Sequence, residues 1–242
     1  MLYIGVLRIE KSDSVSALLA SLPEKIGERL GKRKNENEKR LGIGAYALLF
    51  RLCSQIIGED SEVPEILYTG EGKPYFSEEK DNESLQNKIK FNISHDGELA
   101  TVCICDSGEE VGIDVQSESR RKISLERIAE RFFSPFRNPK ESVKREEIES
   151  RDVSLSFYVI SDGEIEQVSD ESFALSSEAS EFLSRWTLLE AALKADSRGF
   201  GAVEESDAVL GAVRTHTFSL SVSDREYAVS AAVMKTNLGD KK

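Results

Sequence analysis

Three segments carry side chains whose types and spacing could do chemistry together. Val111-Gly112-Ile113-Asp114-Val115 reads as a short strand with an acid near its end. In Trp186-Thr187-Leu188-Leu189-Glu190-Ala191-Ala192-Leu193-Lys194, the residues Trp186, Glu190 and Lys194 recur four apart, which puts them on one helix face. Phe91-Asn92-Ile93-Ser94-His95 brings a hydroxyl and an imidazole side by side at a strand end. Taken singly, each has an ordinary reading. His95 would be a satisfied turn histidine, Asp114 a turn cap after its strand, and Glu190 with Lys194 an ion pair worth roughly a few tenths of a kcal/mol. Two acids and a lysine would also equip a metal-dependent phosphohydrolase.

The elements that must position these residues follow from apolar periodicity. Leu41, Ala45, Leu48, Leu49, Leu52 and Ile56 form one helical stripe over Glu38 to Ile57. An earlier helix over Asp13 to Leu30 is broken near Pro23, and Met1 to Glu10 reads as a strand. Ile89, Phe91 and Ile93, then Ala100, Val102 and Ile104, alternate on either side of Asp96-Gly97, which predicts two strands joined by a polar turn. Helices are expected from Ser124 and over Ser177 to Ser197, the second ending at Gly199 as a C-cap. Thr217 to Val222 and Glu226 to Met234 read as strands. Between Ser134 and Ser176 a charged run precedes a hairpin pattern, with Val153 to Ile160 and Ile165 to Val168 flanking Asp162-Gly163. Interleaved helices with sequence-adjacent strands indicate α+β with antiparallel pairing.

Composition limits the function. The chain has 242 residues, 39% hydrophobic and 31% charged, enough for one large domain or two small ones. A net charge of −12 argues against nucleic acid as the main partner, so any anion must meet a local basic patch. Candidates are Lys32, Arg33, Lys34, Lys39 and Arg40, and the cluster Arg120, Arg121, Lys122. No apolar run approaches the roughly 20 residues of a membrane span, and the N-terminus lacks an export pattern. Cys53, Cys103 and Cys105 read as buried reduced thiols of a cytoplasmic protein. Zinc would want four ligands, and only His95 and His216 could join them.

The order and spacing of the reactive segments resemble the 4′-phosphopantetheinyl transferases, in particular the larger single-chain kind similar to surfactin-synthetase activators. Gly72-Lys73-Pro74, Ile128-Ala129-Glu130-Arg131-Phe132-Phe133-Ser134, Arg198-Gly199-Phe200 and Arg40 at the head of a Leu-rich helix extend the likeness from about Arg40 to Ala232. The resemblance implies two similar α+β halves in a pseudo-twofold arrangement, 1–107 and 108–242, with coenzyme A between them and an insert at about 135–176. It implies magnesium held by Asp114 and Glu190, the second doubling as the base for a carrier-protein serine. Lys194 would meet the pyrophosphate; Lys73, Ser94 and His95 would contact the phosphates of coenzyme A, and Arg40 its nucleotide end. The partner would be an apo acyl or peptidyl carrier protein, the enzyme a monomer, and the leaving product adenosine 3′,5′-bisphosphate. A non-catalytic module binding coenzyme A or a carrier protein is the alternative on the same fold.

The chain departs from the family pattern at four places. Gln116 stands where a second strand acid is usual, and its amide oxygen can still ligate magnesium or hold its water. Leu189 replaces a usual lysine, Arg137 a common acid, and the link between Ser134 and Ser176 is long. The insert is expected to be either a passive surface elaboration or a docking or selectivity element for the carrier, and on either reading cutting Pro139 to Ser169 would leave the core and coenzyme A binding intact.

Overall fold

The computed structural model describes residues 1–58, 63–70, 72–77, 88–118, 146–169, 173–176, 179–196, 198 and 205–235. The expected helix from Ser124, the C-cap at Gly199, Arg137 and the Arg120–Lys122 cluster lie outside these residues.

Within them the chain is α+β, built on two five-stranded sheets and a small hairpin. The first sheet has the order β4-β5-β1-β8-β9, from β1 (Leu2–Arg8), β4 (Lys90–Asp96), β5 (Leu99–Cys105), β8 (Val153–Ser161) and β9 (Glu164–Val168). The second runs β10-β11-β12-β6, from β6 (Val111–Ser117), β10 (Ala174–Ser176), β11 (Val213–Val222) and β12 (Arg225–Met234). The two-residue β7 (Glu146–Glu147) adds to β11. Strands β2 (Ile66–Tyr68) and β3 (Pro74–Phe76) form the hairpin. Period-two alternation gives each sheet two apolar faces. Leu2, Ile4 and Val6 of β1 meet Ile113 and Val115 of β6 and Val229 and Ala231 of β12 in a core between the sheets, which also buries Cys103 and Cys105. All three cysteines are free and buried.

Helices cover the outer faces. Leu7, Val102 and Ile104 pack under α1 (Ser16–Ser21), α2 (Glu24–Gly31) and α3 (Glu36–Ile57), with Pro23 opening α2 at the expected break. Asn35 caps α3 by accepting from the backbone N–H groups of Asn37 and Glu38 at 3.0 and 3.2 Å. By length and composition alone α3 is apolar enough to cross a membrane, although Arg51 interrupts its apolar run. It is a core helix, with 61% of its apolar window buried inside the protein. On the far side, α4 (Glu181–Ala195) and α5 (Ser206–Gly211) pack on the outer face of β12 and β11. Helix α4 starts at the Ser180 cap, four residues later than periodicity suggests, because Ser180 Oγ accepts from Leu183 N at 3.3 Å.

One connectivity occurs twice. In the first half β1 leads to α3 and then to the β4–β5 hairpin, with β1 pairing β5. In the second, β6 leads to α4 and then to the β11–β12 hairpin, with β6 pairing β12.

The insert is not confined to the surface. Its hairpin forms as expected from Val153 to Val168, but β8 pairs in parallel with β1 along the whole of that strand. Phe157 and Tyr158 are buried, one in each core. Removing 139–169 would therefore strip a central strand of its partner, against the expectation of an intact core.

A candidate active site where strand β6 meets helix α4

The site depends on how closely α4 lies on β6. Ile113 and Val115 point into the inter-sheet core, so Gly112, Asp114 and Gln116 share the face toward α4. A Cβ on Gly112 would stand 2.0 Å from the Ala191 carbonyl oxygen and 2.6 Å from Ala195 N. Only glycine admits that approach.

The contact brings Asp114, Glu190 and Lys194 together from distant parts of the chain. Lys194 Nζ donates to Asp114 Oδ1 at 2.7 Å and to the Ile113 carbonyl at 3.0 Å. Ser94 Oγ donates to the same Asp114 oxygen at 2.9 Å and lies 3.2 Å from Lys194 Nζ. Asp114 is 3% exposed, and its other oxygen, Oδ2, is buried without an N–H or hydroxyl donor. The Glu190 carboxyl faces Asp114. Burial first, and then the Asp114 charge, push Glu190 up to about 8, against the opposing pull of Lys194 and of the Trp186 side chain one turn earlier.

Strand β4 holds β6 in place through side chains. Asn92 Oδ1 accepts from Ile113 N at 3.0 Å, and Asp96 Oδ2 accepts from Ser117 N at 2.7 Å and from the Ser117 hydroxyl. Asn92, Ser94 and Asp96 thus use one face of β4 to satisfy the outer edge of β6 and one Asp114 oxygen. Sequence reasoning missed the roles of Asn92 and Asp96. The available signal was a polar residue at every second position, Asn92, Ser94 and Asp96, alternating with Phe91, Ile93 and His95.

The other four expected site residues each stand in a different situation. His95 Nε2 lies 3.3 Å from Arg33 Nη1, and Arg33 also donates to the Glu38 carbonyl at 3.0 Å. Burial, then Arg33 and Lys194, hold the His95 imidazole below its ordinary pKa, which leaves it neutral and able to accept from Arg33. Arg40, in the first turns of α3, has Nε and Nη2 buried without a partner. Lys73 points its ammonium at the Lys194 carbonyl, 2.8 Å away, and at Glu110 Oε2, 3.1 Å away. Gln116 is half-buried, two residues beyond Asp114 on the same strand face.

Hard carboxylate oxygens of this kind suit magnesium, which takes one or two carboxylates and fills its remaining positions from water or phosphate. Asp114 and Glu190 together outweigh the single lysine by one negative charge when ionised. Asp114 Oδ2 moreover has no N–H or hydroxyl donor and meets the Glu190 carboxyl, whose proton a small divalent cation would replace, so the residues fit such an ion. Among the described residues no group of three or more His, Cys, Asp and Glu side chains is placed to hold a metal.

No protein-family model matches the chain, and no curated protein matches it.

Proposed function

We propose that the protein transfers the 4′-phosphopantetheine group of coenzyme A to a serine of an apo acyl or peptidyl carrier protein. The observation that carries this reading is the buried pair Asp114 and Glu190, with one Asp114 oxygen free of any N–H or hydroxyl donor and Lys194 bonded to the other. Asp114 and Glu190 would hold magnesium, with Gln116 offering an amide oxygen beside them. The bound cation would stabilise the ionised Glu190 and spread the charge of the pyrophosphate as its bond breaks. The serine Oγ attacks the β-phosphorus, a new P–O bond forms, and adenosine 3′,5′-bisphosphate leaves with the electron pair of the broken bond. Glu190 takes the serine proton. Lys194 meets the pyrophosphate with its ammonium, at the cost of weakening its bond to Asp114.

Arg40 fits the other end of the substrate. Two buried N–H groups of Arg40 have no acceptor in the protein, and a nucleotide phosphate would satisfy both. The recurring strand–helix–hairpin connectivity supports two similar halves in a pseudo-twofold arrangement, with coenzyme A between them and the protein acting as a monomer. Three free buried cysteines suit a reducing cytoplasm.

Incubation with coenzyme A, magnesium and an apo-carrier, read by intact mass, tests the proposal. Transfer makes the carrier heavier by one phosphopantetheine. Release of free phosphopantetheine would point to a phosphohydrolase, and binding without turnover to a non-catalytic module; either result overturns the proposal.

A further inference from the structure

We infer that Lys73 is a positioning residue that holds the last turn of α4, and that it serves the proposed transfer through Lys194 and Glu190 rather than by contact with coenzyme A. The inference deepens the transfer reading and rests on it.

The turn that carries Lys73 is fixed by its own backbone. Thr69 N donates to the Lys73 carbonyl at 2.9 Å, Gly72 N donates to the Thr69 carbonyl at 2.9 Å, and Thr69 Oγ1 accepts from Lys73 N at 3.1 Å. Gly72 supplies a φ of 86°, which a residue with a Cβ rarely adopts. Buried Phe76 anchors the hairpin to the first core, its ring centroid 4.4 Å from that of Phe91. The side chain is thereby aimed from a rigid base.

What the ammonium meets is the C-terminal end of the helix. Its bond to the Lys194 carbonyl, which also accepts from Asp196 N, adds a cationic donor at the helix end that the dipole favours for a cation. Its bond to Glu110 ties the same turn to the residue preceding β6. Lys194 is therefore held at both ends, by Lys73 at its carbonyl and by Asp114 and Ser94 at its ammonium. The Lys73 side chain is 16% exposed, and its ammonium is already engaged by the Lys194 carbonyl and by Glu110, which Lys90 also approaches at 3.9 Å. Arg40 is in the opposite condition, with buried donors that lack an acceptor.

Full-length Lys73→Met and Lys73→Arg variants test this by two measurements. Hydrogen exchange read by peptide mass should show the amides of 191–196 opening about tenfold faster in Lys73→Met, with Lys73→Arg closer to wild type because it keeps a cationic donor. In the transfer assay Lys73→Met should lose about tenfold in kcat while KM for coenzyme A stays within about twofold. Should Lys73→Met not fold, Lys73→Gln, which keeps a neutral donor, carries the same comparison. Unchanged exchange over 191–196 overturns the inference, as does faster exchange with kcat preserved, or a raised KM for coenzyme A with kcat preserved. If the wild type gives no transfer, the functional reading fails on its own account, and the exchange measurement alone decides whether Lys73 holds the helix.

Discussion

Gly112 and Ala191 touch backbone to backbone: a Cβ on the strand residue would stand 2.0 Å from the helix carbonyl oxygen. That contact sets how far Glu190 and Lys194 stand from Asp114. Gly112→Ala should therefore push α4 off β6, with a loss of about 2 kcal/mol or more in stability. Activity should fall further than stability explains, since small misplacements of reacting groups are costly. Denaturant unfolding and kcat/KM, measured on the same preparation, check both parts.

The two acids should separate by their effects on folding. Both Asp114→Ala and Glu190→Ala should cost at least about tenfold in kcat/KM. Removing a buried acid lifts the cost of desolvating it or of keeping it protonated. The structure restricts that to Glu190, because Asp114 is the partner of Lys194 and Ser94. Glu190→Ala should hold or gain stability; Asp114→Ala should lose it, by leaving a half-buried ammonium without its carboxylate. Thermal unfolding of the two variants at neutral pH separates them.

The Glu190 carboxyl also gives stability a pH dependence of known sign. Its folded pKa, about 8, lies above the 4.5 of an ordinary glutamate, so between these limits the folded state binds more protons than the unfolded state. Its contribution is then fully present below about 4.5 and is lost as pH rises toward 8. Glu190→Gln should flatten that slope between about pH 5 and 8. Trp186, the only tryptophan and a hydrogen-bond partner of Glu190, offers the readout. Its fluorescence should titrate in the wild type near the raised pKa and not in Glu190→Gln.

Arg40→Met should raise KM for coenzyme A while leaving kcat nearly unchanged. A charge-assisted contact to phosphate is worth about 1.5–3 kcal/mol, a rise of roughly tenfold or more in KM. Folding should not suffer, since two of the buried N–H groups removed have no partner in the protein. Steady-state kinetics with coenzyme A and with 3′-dephospho-coenzyme A, beside a melting curve, checks both halves.

Deleting 153–168 should unfold the protein or sharply lower its melting temperature. Strand β8 is the parallel partner of β1, and Phe157 stacks on Phe173 with centroids 4.9 Å apart. Loss of a buried aromatic alone costs about 3–5 kcal/mol. Circular dichroism of the shortened chain is the check.

Most elements were legible in the sequence because their signals are local. The α3 stripe, the break at Pro23, the β4–β5 hairpin at Asp96-Gly97 and the insert's own hairpin depend on periods of two or 3.6 residues and on turn residues near them. The short β2, β3, β7 and β10 strands, of two or three residues each, are too brief to show a period, so the setting of Lys73 was hidden with them. The shared helix face of Glu190 and Lys194 was legible for the same local reason.

What the sequence by itself determined, then, is the type of each reactive group and the element that bears it. Tertiary structure alone decided their pairing. Lys194 meets Asp114 across 80 residues and Ser94 meets it across 20, distances over which no periodicity carries information. It also decided that Lys73 reaches a helix carbonyl, that β8 serves the first sheet, and that Glu190 is held protonated well above the usual carboxylate range. Each of these depends on which surfaces exclude water from which groups, and burial is settled only when the two sheets and α4 close on one another.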